Sequence, residues 1–449
     1  MKKTLITALC ASALGLGACS LDVPNLNGPS LESLLETPTP STLNEASTGL
    51  LIGSRTGVAA QNGYVAHLGI IGRESYTFDA GDARFVTEML SAPALDPGSP
   101  AFGGNFWSQP YANIRNANTV LAALEKVSGV EDNDKEAIRG FAKAMQALDF
   151  LTVVTTRDTN GGPIDVGGDY TQLAPIESKE RVLEHIANLL DESKAHLEAA
   201  GSTFPFPLSS GFQGFDTPAT FLKYNRALKA RAEVYRENWQ GALQALSESF
   251  VDRQKPMTLG VYHAFSSGTG DTTNSLTSSA IYAHASIVAD AAIKLDCTPE
   301  AAQPFKCLDD RVKNKIKETE PSPPYQGLSS KYKLTVYGSN SAPVPIIRNE
   351  DLILLRAEAN LHLGNYALAA DDINHVRAIS GGLPPVTLSG QNAVNVLLYE
   401  RRYSLLFEGG HRWIDMRRYG LLDSLPKDKP DHFVHERFPI PTAETNARQ

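Results

Sequence analysis

The chain has 449 residues, with 41 Lys+Arg against 50 Asp+Glu and a formal net charge of -9 at pH 7; 42% are hydrophobic and 20% charged. Those proportions exclude wholesale disorder, a collagen-like repeat and a coiled-coil rod, and the length predicts one large domain or up to about three. Net acidity, with no basic run longer than a pair, argues against binding nucleic acid.

Lys2 and Lys3 precede a short apolar stretch, residues 4–18. It is too short for a membrane span, which needs roughly 20 residues, and reads as a secretory signal. The stretch ends Leu16-Gly17-Ala18-Cys19, small residues before a cysteine that resemble the lipobox of bacterial lipoproteins. On that resemblance Cys19 becomes the lipidated N-terminus, residues 1–18 are removed, and 19–41, rich in Pro, Asn, Ser and Leu, form a tether. Anchoring would come from the acyl chains alone.

From there the dominant period is helical. Ile114, Ala117, Leu121, Leu124 and Val127 share one face, as do Ile138, Phe141, Ala142, Met145 and Leu148. A third set runs Val182, Ile186, Leu189, Ser193, Leu197. Thr217-Pro218 is a cap followed by a first-turn proline, opening a helix through Tyr235. After a break at Glu237-Asn238, Trp239 to Leu246 continues as a second helix. Leu352 to Leu363 stops at Gly364-Asn365, and Tyr366 to Val376 returns. That last pair has the pattern of a tetratricopeptide-like hairpin, with a looser copy at 227–246 and further helical pairs at 112–153 and 393–418. The reading is a mostly α protein: helical hairpins forming one bundle over 42–449, with parts of about 42–250 and 251–449. Long irregular insertions fall at 60–110, 155–175, 200–216 and 252–345. Such loops on a rigid frame are where binding is usually placed.

Cys297 and Cys307 are the only cysteines beyond the signal region and Cys19. Outside the cytoplasm the pair reads as a disulfide. Closing a ring this small contributes on the order of 3 kcal/mol in the chain-entropy model. Zinc is the competing reading, but no second Cys/His pair with ligand spacing flanks it.

No nucleophile elbow, zinc-protease, P-loop or dinucleotide motif is present. Asp309-Asp310 and Asp371-Asp372 have no spacing that implies glycoside cleavage, which depends on a distance in space. His432-x-x-His435 reads as a solvated pair in a Pro-flanked tail, and Asp158-Thr-Asn-Gly as a turn that lacks the remaining ligands of a calcium loop. The sequence therefore implies no catalytic residue, metal or cofactor.

Residues 399–420, YERRYSLLFEGGHRWIDMRRYG, put seven charges (Arg401, Arg402, Glu408, Arg412, Asp415, Arg417 and Arg418) among Leu405, Leu406, Phe407, Trp413 and Met416. Glu408/Arg412 and Asp415/Arg418 stand at i,i+4 and i,i+3 spacing, which reads as an ion-pair network sealing helix ends and not as a carboxylate site around His411. This segment resembles the closing signature of the SusD/RagB family of outer-membrane nutrient-binding lipoproteins, with two glycines, Gly409 and Gly410, where the family usually has one. RNEDLILLRAEANLHLGNYALAADDINHVRA (348–378), Asp309-Asp310-Arg311, IRNANTVL, TRDTNGGPI and FPIPTAETNAR are similar to the family in the same order.

The resemblance implies a cell-surface-exposed lipoprotein of the bacterial outer membrane. It would bind a small oligosaccharide or oligopeptide, cleave nothing, and pass its ligand to a SusC-like TonB-dependent transporter. Two alternatives remain: a scaffold whose repeats bind only protein, and a glycan-cleaving enzyme. Sugars are gripped by aromatic faces plus a few fixed polar groups. The candidate ligand residues are accordingly Trp107, Tyr76, Phe78, Arg84 and Phe102 in the first insertion, and Tyr262 and Tyr282 in the middle one, with Trp107 foremost.

Overall fold

The computed structural model describes residues 31–99, 103, 105–167, 172–294 and 304–449. The signal, Cys19, Phe102 and Cys297 lie outside the described residues. Cys307 is disulfide-bonded.

Among the described residues, eleven helices have eight residues or more: α1 (Pro40–Arg55), α2 (Tyr64–Ile71), α3 (Asn105–Leu124), α4 (Asp132–Arg157), α5 (Lys179–Ala199), α6 (Pro218–Tyr235), α7 (Trp239–Ser247), α8 (Asn349–His362), α9 (Tyr366–Val376), α10 (Ala393–Ser404) and α11 (His411–Arg418). Two-stranded antiparallel ribbons account for the six strands: β1 (Ser75–Thr77) with β3 (Ile281–Ala283), β2 (Gly260–His263) with β6 (Val344–Arg348), and β4 (Ile316–Glu318) with β5 (Tyr332–Leu334). The protein is a mostly α bundle of hairpins with long insertions, as its sequence implies.

Local chemistry sets the helix limits. Thr39 and Thr217 cap α1 and α6 in the same way, each side chain accepting the amide of the residue three on while proline fills the first turn. Gly364, at φ +78°, turns the chain between α8 and α9. The two hairpins α6–α7 and α8–α9 meet where the Trp239 ring stacks on His362, centroids 4.0 Å apart. The largest core draws on residues from Leu34 to Ala359, so the bundle shares one interior across both halves of the chain.

Three expectations need correction. A short helix, Leu31–Glu36, and the start of α1 fall inside the stretch read as a tether. α2 lies inside the first insertion; its run Val65–Ile71 is buried on every side, so it has no polar face to give a helical period. His432 and His435 are buried, not solvated; among the described residues no group of three or more His, Cys, Asp or Glu is arranged to hold a metal.

The 399–420 segment is an ion-pair network. Arg401 is 1% exposed and pairs with Asp415 at 2.6 Å and Asp351 at 3.3 Å. Asp351 also holds Arg231 of α6 at 2.7 Å. Arg418 joins Asp415 at 3.2 Å and Glu358 at 2.7 Å. On the other side of α10, Glu400 takes Arg311 at 2.7 Å and Arg377 at 2.5 Å, and Arg311 closes a fork on Asp309. Glu408 pairs with Arg348 and Lys315 and not with Arg412, which instead donates to the Arg73 carbonyl at 3.0 Å. The turn from α10 into α11 is backbone-specified. Phe407 is wholly buried at φ +60°, its N–H donating to Glu74 and its carbonyl accepting from the Tyr337 hydroxyl. A Cβ on Gly410, φ +77°, would lie 2.4 Å from Leu68 Cβ, which gives the second glycine its physical reason.

Removing one partner from a buried network strands the other charges, at a cost of about 3–5 kcal/mol. Arg401→Met is therefore expected to lower unfolding free energy by that amount, checked by urea denaturation. Acid sensitivity follows from Glu350: burial pushes its carboxyl up, but Arg348 and Lys315 pull it down to about 2. A folded pKa below the ordinary 4.5 gives stability that is present above pH 4.5 and lost as pH falls toward 2. Glu400 and Asp415, raised chiefly by burial, contribute with the opposite sign. Glu350→Gln isolates its share: the urea midpoint is expected to be lower than wild type at pH 7 and to vary less with pH below 5.

Candidate ligand-binding platform

The β1–β3 ribbon brings together two insertions about 200 residues apart in sequence. Tyr76 pairs directly with Tyr282, and the Phe78 amide continues the ladder to the Ala280 carbonyl at 2.8 Å. Side chains alternate across a strand, so Tyr76, Phe78, Tyr282 and His284 share one face. Their rings form a continuous stack: Tyr76 to Phe78 at 5.2 Å and 17°, Phe78 to Tyr282 at 5.3 Å, and Tyr76 to His284 at 4.9 Å. Tyr325 adds a ring 5.8 Å from Phe78. It is presented by a tight turn in which Gln326 and Gly327 take positive φ, and its hydroxyl donates to the Asp79 carbonyl.

Burial grades along this stack. Tyr76 and His284 are buried, whereas Phe78, Tyr282 and Tyr325 are half-buried and present ring surface at the protein's edge. Lys333 Nζ sits 3.1 Å from the Tyr282 ring centroid, placing a cation at one end. Beneath the exposed rings, Asp428 accepts the Tyr76 hydroxyl at 2.9 Å and faces His284 Nε2 at 3.2 Å. Burial depresses the His284 pKa, with Asp428 opposing the shift. Burial raises that of the Tyr76 phenol, and the Asp428 charge adds to the rise. Both rings are therefore neutral at physiological pH. The arrangement offers an apolar, slightly stepped surface rimmed by a cation and hydroxyls.

Of the remaining sequence candidates, Phe102 is outside the described residues and Trp107, Arg84 and Tyr262 lie elsewhere. Trp107 is 5% exposed at the start of α3, its Nε1–H donating to Glu444 at 3.3 Å and its ring edge on Tyr111 at 4.9 Å. It lines a separate cavity of about 970 Å³ together with Arg115, Asp165, Leu173 and Arg448. Arg84 is exposed and tied to Asp82 at 2.7 Å and Ser99 at 3.3 Å. Tyr262, on β2, lines a third hollow of about 350 Å³ with Ile52, Arg55 and Phe265. The fold thus gathers three of the six candidates among the described residues, Tyr76, Phe78 and Tyr282. Sequence reasoning missed Tyr325, His284 and Asp428. The run PSPPYQGL does carry a turn signal around Tyr325, but nothing local announces its partners.

Residues 314–448 match the sequence profile of the SusD family. No curated protein matches the chain. Its fold is shared with a SusD-like carbohydrate-binding protein from Bacteroides fragilis at 16% identity, TM-score 0.72, covering 93% of this chain and 99% of that one. A SusD superfamily protein from Bacteroides vulgatus is similar at 16% identity, TM-score 0.69, covering 91% and 97%. A laminarin-binding SusD-like protein aligns at 18% identity, TM-score 0.60, covering 90% and 96%. The matched segment holds most of the ion-pair network, Tyr325 and Asp428. Tyr76, Phe78 and Tyr282 lie before it.

Proposed function

We propose that this protein binds a glycan on the Phe78–Tyr282–Tyr325 platform, as a lipid-anchored protein of the bacterial outer membrane, and delivers it to a SusC-like TonB-dependent transporter. The observation that carries the reading is the convergence of three half-exposed rings from distant loops onto one rigid ribbon. One face of a pyranose is apolar C–H, and laying it on an aromatic ring removes both from water while its rim hydroxyls stay solvated or hydrogen-bonded. The ribbon pre-orders the rings, so little side-chain entropy is lost on binding. Support also comes from the relatives, two of which are described as carbohydrate-binding and laminarin-binding.

Binding without cleavage fits the local carboxylates. Asp79 is engaged by Gln61 and the Gly81 amide, and Asp428 by Tyr76 and His284. Attachment is assigned to Cys19 on the lipobox-like run Leu16-Gly17-Ala18-Cys19. The helical frame, on this reading, faces the transporter, leaving the insertions to the ligand.

Screening against soluble glycans, laminarin included, by affinity electrophoresis and calorimetry tests the platform. Phe78→Ala and Tyr282→Ala are each expected to weaken the glycan that binds about tenfold, or about 1.4 kcal/mol. Trp107→Phe is expected to change it less than twofold; a reversed order would move the site to the Trp107 cavity. For the anchor and partner, Cys19→Ala is expected to release the protein from the membrane fraction. The wild-type protein is expected to co-purify from detergent-solubilised outer membrane with a stoichiometric TonB-dependent barrel, identified by mass spectrometry. Retention of the barrel with no glycan bound would favour a protein-binding scaffold.

A further inference from the structure

The tail between Pro426 and Phe433 runs along the surface, yet Asp428 turns inward and Lys429 reaches across to the Tyr325 turn. The Asp428 side chain is only 21% exposed, although the residue as a whole is exposed. Its Oδ1 takes the Tyr76 hydroxyl and faces His284, so one carboxylate holds the buried ends of both platform strands. The next residue, Lys429, donates through Nζ to the Gln326 carbonyl, inside the turn that presents Tyr325. A Cβ on Gly327 would stand 2.7 Å from that Nζ, so the amine is packed tightly against the turn.

Both ends of the tail are fixed from below. Arg73, wholly buried at φ +58°, donates to the Pro426 carbonyl at 3.0 Å and to the Phe433 carbonyl at 2.6 Å. The Phe433 amide donates to the Leu90 carbonyl at 2.7 Å. A left-handed non-glycine residue is strained and persists only where its surroundings over-determine it; here its side chain closes both ends of one loop.

We propose that residues 426–433 form a buckle in which Asp428 and Lys429 are positioning residues, fixing the distance and tilt between the β1–β3 rings and Tyr325. This inference rests on the glycan-platform reading. Without the buckle, the Tyr325 turn is held to the ribbon by its own hydroxyl on Asp79 and by ring contact with Phe78. Asp428 fixes one side of the step and Lys429 the other, and because they are adjacent in sequence they cannot drift apart. The buckle thereby selects ligands whose sugar faces match one ring spacing.

The test uses the full chain labelled with 3-fluorotyrosine, the Tyr76, Tyr282 and Tyr325 signals being assigned by single Tyr→Phe variants. Lys429→Met and Asp428→Asn are expected to shift the Tyr325 and Tyr76 fluorine resonances respectively. The melting temperature should stay within about 2 °C of wild type. Lys429→Arg, which keeps a donor for Gln326, is expected to restore the Tyr325 signal, a rescue that general destabilisation would not show. Laminarin is the probe in parallel affinity gels, where Lys429→Met is expected to weaken retardation at least fivefold and Lys429→Arg to recover it. Wild-type resonances in both variants would overturn the buckle. If the wild-type protein is not retarded by laminarin or any other glycan of the screen, the platform reading fails by itself, and the fluorine spectra still decide the positioning roles.

Discussion

Glu400 and Arg401 are consecutive, opposite in charge, and both buried to within 1% on the same helix. Neighbouring helical positions point about 100° apart, so the two side chains reach different parts of the interior. Glu400 gathers Arg311 and Arg377; Arg401 gathers Asp351 and Asp415. Each is a charge that the interior accepts only with partners in place. The position of α10 thereby dictates those of α6, α8, α11 and the short helix Asp310–Lys315, all of which carry those partners or their neighbours. Ionic demands of this kind do little for net stability against an apolar core of the same shape. They do penalise every arrangement that leaves one partner behind, so they act on uniqueness of packing.

That distinction explains what was readable in the sequence. Hairpins were legible because an amphipathic period and a Leu-Gly turn are local: Leu363-Gly364 and the capped Thr217-Pro218 need no knowledge of the rest of the chain. The 399–420 network was legible as a class, since charges interleaved with large apolar residues cannot all be solvated. Its wiring was not. Spacing offered Arg412 to Glu408, yet Glu408 went to Arg348 and Lys315, brought from 60 and 93 residues away. α2 escaped for the opposite reason, being apolar on all sides and therefore lacking any period.

The proposed platform was half legible. Aromatic residues in Gly- and Ser-rich insertions singled out Tyr76, Phe78 and Tyr282, and the β1–β3 pairing does bring them together. The same reasoning favoured Trp107 because tryptophan is scarce, but scarcity says nothing about which side a ring faces. Trp107 points its N–H to Glu444 and packs inside, while smaller rings take the edge. Asp428 and Lys429 were invisible for a further reason: two charges in a Pro-flanked tail have the composition of a solvated segment. Only the fold shows Asp428 reaching beneath the rings and Lys429 reaching the Tyr325 turn.

A division of labour follows from these placements. The frame is specified by many mutually dependent buried charges, each of which constrains several helices at once. The platform is specified by one short ribbon, one turn and one loop, held by a handful of contacts that involve few other residues. A substitution at Phe78 or Tyr325 alters what the surface can grip without stranding a buried charge, whereas a substitution at Arg401 strands several. If the proposed platform is the binding site, ligand preference can therefore change ring by ring on an unchanged frame. The segment that matches the SusD family profile holds most of the ionic core and the tail but only one of the three half-buried rings, Tyr325.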